Sequence, residues 1–87
     1  MAKDMEKLAN AVTFTVSGQR CPQILCRLLG LFAQQDQLID HVEAVATARR
    51  LRVRITVAGI DDSRAAIIAE KMRQLVSVNT VNWRIAR

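Results

Sequence analysis

The sequence has 87 residues and a net charge of +5, and 51% of its residues are hydrophobic while only 3% are aromatic. This length allows one domain, and the apolar content excludes a disordered chain. An apolar run of about 18 residues is absent from the sequence, which argues against a transmembrane helix. We therefore expect a cytoplasmic protein without a signal peptide, with a flexible N-terminal lead-in over residues 1–9 and one domain over residues 10–87.

Residues 11–17 predict the first strand, because apolar and hydroxyl side chains alternate there with a period of two. Its apolar face is formed by Val12, Phe14 and Val16. The Gly-Gln-Arg segment at residues 18–20 breaks the alternation, so we expect the strand to end there.

Residues 21–35 have the clearest helical pattern in the chain. Pro22 suits the first turn, where a missing N–H is tolerated. The apolar face is wider than one sheet contact requires. The residues that we assign to the sheet are Leu25, Leu28 and Phe32. This assignment leaves Ile24 and Leu31 for contact with a second chain.

Residues 38–48 and 51–57 predict two further strands, joined by a turn at Arg49-Arg50. The first of these strands is weak, because alanine fills many of its positions. The second alternates cleanly and is the strongest strand pattern in the sequence. Its inward residues are Leu51, Val53, Ile55 and Val57, and its outward residues include Arg52 and Arg54.

Asp61-Asp62-Ser63 predicts the start of a second helix, because carboxylates cap free N–H groups and favour the positive end of the helix dipole. A metal site is the less economical interpretation of this acidic pair. The residues expected on the buried face of the helix are Ala65, Ile67, Ile68, Met72 and Leu75. Residues 80–85 then predict a last strand with Val81, Trp83 and Ile85 inward.

The order of elements, strand-helix-strand twice over, predicts an α+β fold. Right-handed crossovers interleave two such units into a ferredoxin-like βαββαβ arrangement, a four-stranded antiparallel sheet with two helices on one face. The other face is then open to water. The open face is expected to carry Thr13, Thr15, Ser17, His41, Glu43, Thr47, Arg52, Arg54 and Arg84.

No combination of residues predicts catalysis, a metal site or a cofactor. His41 is the only histidine, and its neighbour Glu43 on the same strand face gives a solvated pair without a nucleophile. Cys21 and Cys26 are five residues apart on one helix and point to different faces, which argues against a disulfide and a shared metal. We therefore expect a protein that is not an enzyme.

Arg49, Arg50, Arg52 and Arg54 form the one cluster of positive charge. They raise an alternative function, a stand-alone anion- or nucleic-acid-binding module that uses the arginine-bearing sheet face. RNA-binding sheets of this topology place aromatic side chains on the central strands, and threonine and arginine occupy those positions here. An acidic protein surface, or a solvated face without a partner, is therefore favoured over nucleic acid.

Residues 12–39 resemble the first strand and helix of ACT domains, most of all the short small (regulatory) subunit of acetolactate synthase, and the specific matches fall mainly at positions 20–40. Pro22, Leu25, Arg27 and the Gly30-Leu31-Phe32 triplet match that family in register. Ile39-Asp40 falls where the family begins its second strand. The resemblance implies a non-catalytic regulatory subunit of branched-chain amino acid biosynthesis.

The resemblance also implies partners and sites. It predicts a homodimer through the first helix and the strand over residues 38–48, a catalytic large subunit of the acetolactate synthase type and a small amino acid effector. No membrane partner is expected, because the sequence lacks a long apolar run. The expected effector-binding residues are Arg20, Cys21, Gln23, Ile24, Leu38 and Ile39. The expected dimer contacts are Ile24, Leu31, Val42 and Ala44.

Four positions depart from the family pattern. Gln23 replaces a glycine after the proline, Arg20 and Leu38 replace asparagines, and Asp36 replaces a glycine after the helix. Because that first glycine lets helix-start amides approach a carboxylate, these departures predict an altered or absent amino-acid site.

Overall fold

The computed structural model describes residues 11–85. The lead-in expected over residues 1–9 lies outside the described residues, as do residues 10, 86 and 87 of the expected domain. The elements are β1 (Val12–Gly18), α1 (Pro22–Gln34), β2 (His41–Ala46), β3 (Leu51–Val57), α2 (Asp62–Arg73) and β4 (Val78–Ile85). The four strands form one antiparallel sheet in the order β2-β3-β1-β4, and both helices lie on one side of it, so the predicted fold is confirmed.

β1 is a central strand, and its alternation determines which side of the sheet is dry. Val12, Phe14 and Val16 are buried, whereas the threonines between them are half-exposed. Phe14 lies opposite Ile55 of β3 and Trp83 of β4, so the inward faces of three strands align. The side of the sheet that carries Phe14 is called the helix side below.

α1 covers the sheet with one line of side chains four residues apart, Ile24, Leu28 and Phe32. The predicted strip contained Leu25 in place of Ile24, and the structure corrects it. Residues four apart follow one line along a helix, whereas neighbouring residues are rotated by about 100°. Leu28 and Phe32 therefore select Ile24 for the core and leave Leu25 half-buried on the flank of the helix.

α2 contacts β4 and α1 and buries Ala65, Ile68, Ala69 and Met72. The carboxylate of Asp61 accepts a hydrogen bond from the N–H of Arg64 at 2.7 Å, which confirms the predicted capping role. Ile67 was expected on the buried face and is 47% exposed. Because Ile68 points into the core, the preceding residue Ile67, rotated by about 100° around the helix, points away from the core.

α1 ends in a Schellman motif, in which two N–H groups after the helix bond back to its last turn. The N–H of Gln37 donates to the carbonyl of Phe32 at 2.9 Å, and the N–H of Asp36 donates to that of Ala33 at 3.1 Å. Asp36 has a φ of 55°, the left-handed conformation that favours glycine. Asp36, which replaces the family's glycine after the helix, therefore keeps the backbone conformation that a glycine would adopt there.

The hairpin between β2 and β3 closes through a threonine hydroxyl. Thr47 Oγ1 accepts hydrogen bonds from the N–H groups of Arg49 and Arg50 at 3.4 and 3.1 Å, and the Thr47 N–H donates to the Arg50 carbonyl at 2.8 Å. These hydrogen bonds of the Thr47 side chain stabilise the turn, although the sequence lacks the Asn-Gly pair that favours a hairpin. The second strand is shorter than the predicted range 38–48 and ends at Ala46.

The end of β1 approaches the chain before β4 too closely for a side chain. A Cβ atom on Gly18 would lie 2.4 Å from the carbonyl oxygen of Ser77 and 2.9 Å from Cδ1 of Ile24. The next residue, Gln19, donates its N–H to that same carbonyl at 2.9 Å. Glycine at position 18 is therefore a packing requirement.

We expect Gly18→Ala and Gly30→Ala to change stability in opposite directions. A Cβ atom at Gly30 would meet nothing within 4 Å, so alanine there should raise the free energy of unfolding by about 0.5–1 kcal/mol through helix propensity. Alanine at Gly18 should lower it by about 1–3 kcal/mol because the backbone must shift. Urea unfolding of both variants checks this, and equal stability would contradict the close approach.

Asp36→Gly and Asp36→Val remove the same carboxylate but differ in conformational freedom. We expect glycine to leave the protein as stable or to stabilise it by up to about 1 kcal/mol, because it adopts the left-handed conformation without strain. Valine should destabilise it by about 1–2 kcal/mol. Thermal unfolding followed by circular dichroism compares the two, and a valine variant as stable as the glycine variant would count against the Schellman motif.

Candidate effector site

The short loop between β1 and α1 fixes the start of α1 against the end of the sheet. The N–H of Cys21 donates to the carbonyl of Gln19 at 2.8 Å, and the N–H of Ile24 donates to the carbonyl of Cys21 at 3.1 Å. The side chain of Ile24 is only 2% exposed and anchors this first turn in the core. Backbone hydrogen bonds and the burial of Ile24 therefore hold the loop and the helix start together.

The start of α1 lacks the capping group that α2 has. Cys21 occupies the N-cap position in an extended conformation and makes no side-chain capping bond, and the first turn has no acidic residue. The first N–H groups of a helix have no partner within it, so the amide of Gln23 depends on another group or on water. The positive end of the helix dipole is also uncompensated here, which favours a carboxylate.

Two grooves flank this helix start, and they differ in their walls. The β2 groove has a volume of about 270 Å³ and lies between α1 and the sheet edge. It is lined by Arg20, Cys21, Pro22, Leu25, Ala46 and Leu51. The β4 groove has about 240 Å³ and is lined by Cys21, Gln23, Ile24, Arg27, Leu75, Val76 and Ser77. The β2 groove is mostly apolar, and Arg20 is the one charged residue that lines it.

The structure brings together four of the six predicted effector residues. Arg20 and Cys21 line the β2 groove, and Cys21 also lines the β4 groove with Gln23 and Ile24. Leu38 and Ile39 follow the other end of α1, a helix of 13 residues that spans about 20 Å. Leu38 is 75% exposed there, so these two residues do not reach either groove within one chain.

Four residues that line the β2 groove were absent from the predicted site, namely Pro22, Leu25, Ala46 and Leu51. Two of these residues could have been predicted from the alternation of β2 and β3. The alternation places Ala46 and Leu51 on the helix side, opposite each other across the hairpin. The assignment of Leu25 to the core concealed its position on the groove.

β2 is an edge strand whose six residues are all exposed. Val42 and Ala44 lie opposite Ile55 and Val53 and therefore point to the helix side, yet Val42 remains 41% exposed. Among the described residues, its outer edge has no strand partner. Of the predicted dimer contacts, Val42 and Ala44 are thus on the surface and Leu31 is half-buried.

Ile24 is the predicted dimer contact that packs into the chain's own core. Its side chain is 2% exposed, so little of it is left on the surface for contact with a second chain. Leu25 is the half-buried residue on the adjacent flank, and Leu29 follows it one turn later on the same line.

The remaining chemical groups are dispersed. Cys21 and Cys26 are free thiols. Between residues 11 and 85, the side chains of His, Cys, Asp and Glu form no group of three that could hold a metal ion. In the same part of the chain, none of the helices combines the length and the apolar character needed to span a membrane.

The family of the chain follows from comparison with known sequences. Residues 5–87 match the model of the ACT-like domain family. The chain belongs to this family. ACT domains are regulatory, non-catalytic modules and are common in enzymes of amino acid metabolism. No curated protein matches the sequence significantly.

Solved structures show the same fold at low sequence identity. The ACT domain of GTP pyrophosphokinase from Chlorobium tepidum is 13% identical over 86% of this chain and 97% of that one, with a TM-score of 0.75. The regulatory subunit of aspartate kinase from Thermus thermophilus is 14% identical over 87% of this chain and 51% of that one, with a TM-score of 0.70. A homoserine dehydrogenase from Thiobacillus denitrificans is 16% identical over 93% of this chain and 18% of that one, with a TM-score of 0.74.

Proposed function

We propose that this ACT domain is a cytoplasmic regulatory subunit of an acetolactate synthase-type enzyme and that it senses a branched-chain amino acid. The observation that carries the proposal is the uncapped start of α1 beside the apolar β2 groove. The match of Pro22, Leu25, Arg27 and the Gly30-Leu31-Phe32 triplet to the acetolactate synthase small subunit supplies the choice of enzyme.

The β2 groove has the chemistry that an aliphatic amino acid requires. The carboxylate of the effector would be held by Arg20, beside the positive end of the α1 dipole. Its side chain would lie between Leu25, Ala46 and Leu51, where apolar area is removed from water. A charged or long polar side chain would find no partner on these walls.

The glutamine that replaces the family's glycine does not obstruct this arrangement. Gln23 lines the β4 groove and is not among the residues that line the β2 groove. Its Oε1 accepts a long hydrogen bond of 3.5 Å from Arg27, one turn later on the same helix. Amino-acid binding in the β2 groove is therefore compatible with a glutamine at position 23.

A homodimer through β2 would complete the site. Two β2 strands that pair antiparallel place the start of one against the end of the other. Ala46, which lines the groove, is at the end of β2. In this pairing it would lie near the start of the other β2 strand, which is preceded by Leu38 of the partner subunit and Ile39 of the partner subunit. The pairing would also satisfy the open edge of the sheet and cover Val42.

If the dimer forms through β2, a charged side chain on the apolar face of this strand should weaken it. We expect Val42→Asp to raise the dimer dissociation constant by about tenfold or more, because 1.4 kcal/mol of lost interaction is sufficient for that change. Ile67→Asp is the matched control, since Ile67 is similarly exposed but lies on α2. Analytical ultracentrifugation compares the two variants, and a wild-type chain that stays monomeric at high micromolar concentration would refute the dimer.

Effector binding predicts chemical-shift changes at one groove. We expect valine, leucine or isoleucine at millimolar concentration to shift the backbone amides of residues 18–25, because the carboxylate lies at the start of α1. Arg20→Ala should abolish the shifts. Arg27→Ala, which changes a guanidinium of the other groove, should preserve them.

A two-dimensional NMR titration of the three proteins measures this. Absence of shifts with all three amino acids would refute effector sensing. Equal loss of the chemical-shift changes in Arg20→Ala and Arg27→Ala would contradict the β2 groove as the effector site.

A further inference from the structure

The side of the sheet opposite the helices carries a concentration of positive charge. Arg50, Arg52 and Arg54 follow one another at every second position along β3 and the turn before it, and all three are exposed. Arg84 of β4 is exposed on the same side, because it lies opposite Thr13 of β1. We call this surface, defined by these four arginines, the arginine face.

Negative charge on the arginine face does not balance the four guanidinium groups. Glu43 is the one acidic residue whose strand position, opposite Arg54, places it there among the described residues. Within residues 11–85, the one salt bridge is between Glu70 and Arg73 on α2, away from this surface. The face therefore presents a positive potential that a partner could complete.

The arginine face is grooved and rich in hydroxyl groups. A groove of about 270 Å³ is lined by Ser17, Glu43, Val45, Thr47, Arg50, Arg52 and Arg54. Arg54 also borders a second groove of about 260 Å³, together with Thr15 and Arg84. Guanidinium and hydroxyl groups that surround shallow grooves are donors for the oxygen atoms of an anionic chain.

The scarcity of aromatic groups at this face favours a protein partner over nucleic acid. The chain has two phenylalanines, one tryptophan and no tyrosine. Phe14 is fully buried, and the rings of Phe32 and Trp83 lie 5.2 and 6.5 Å from it, between centroids. Trp83 lies opposite Phe14 on the helix side, but it is half-buried and also borders the second groove. The first groove, with Arg50, Arg52 and Arg54, has no aromatic side chain on which bases could stack.

The spacing of the arginines fits the carboxylates of an extended peptide segment. Side chains at every second position of a strand recur at about 6.8 Å, both on β3 and on an extended partner segment. Guanidinium groups bind carboxylates through paired hydrogen bonds, and arginine is enriched at protein interfaces. Val45 adds one exposed apolar side chain to the groove.

We propose that the arginine face binds an acidic segment of a partner protein. This proposal goes beyond the regulatory function, since it uses neither the β2 groove nor the dimer, and it stands or falls separately. The β2 groove and the arginine face lie on opposite sides of the sheet, so a domain with an occupied groove keeps this face free.

The test is a two-dimensional NMR titration of the full chain with poly-L-glutamate as the probe, with poly(U) RNA and tripolyphosphate as the comparison anions. We expect poly-L-glutamate to shift the amides of residues 50–54 and 82–84, and added salt to weaken the binding because it screens exposed charges. Arg52→Ala/Arg54→Ala should weaken the binding by about tenfold or more. Glu43→Gln should tighten it by about two- to fivefold.

The matched control is Arg64→Ala/Lys71→Ala, which removes two positive charges from exposed positions of α2. It should leave the binding within about twofold of wild type, because these charges lie on the other side of the sheet. Equal losses in the two double variants would overturn the proposal, because net charge alone would then explain the binding. Absence of binding to poly-L-glutamate would overturn it as well, and so would a response confined to poly(U) or tripolyphosphate.

Discussion

Burial of Phe14 is the constraint on which the two sides of the molecule depend. This ring lies at the middle of a central strand and meets Phe32 edge to face, with an interplanar angle of 78°. Because strand side chains alternate, an inward Phe14 turns Thr15 outward, and the register of the sheet then turns Arg54 outward beside it. One buried ring thus specifies both the helix side and the arginine face, since a slip of one residue would exchange them.

The start of α1 is positioned by packing and not by its own hydrogen-bonding groups. Gly18 lets the end of β1 approach the carbonyl of Ser77, and Ile24 occupies the space beside it. These contacts fix the helix start in the absence of a side-chain cap, which α2 obtains from Asp61. A helix that receives its position from the core can leave its first amides to a ligand, so the structural and the binding requirements are met by different atoms.

The sequence predicted the fold well because its periodic patterns are locally determined, and it failed where burial depends on neighbours. β1 and β3 alternate so clearly that their inward faces were predicted correctly. In α1 the apolar run is continuous, so Ile24 and Leu25 both satisfied the helical period until the position of the sheet was known. The alternation of Val42 was also correct, but its exposure depends on how far the helices extend over the sheet edge. Leu38 lies at the other end of α1 from the grooves and would join the predicted site only if a second chain supplied it, and a periodic pattern within one chain carries no such information.

The two candidate surfaces are connected through β3. Leu51, at its start, borders the β2 groove on the helix side, and the next residue, Arg52, points to the arginine face. An effector in the groove and an acidic segment on the opposite side would therefore touch consecutive residues of one strand. Coupling between two sites is reciprocal, so an effector that shifted β3 would change the affinity of the acidic partner by the same factor as that partner changed effector affinity. Leu51 and Arg52 are consecutive in β3 and point to opposite sides of the sheet. A regulatory module needs a connection of this kind between its effector site and its partner surface.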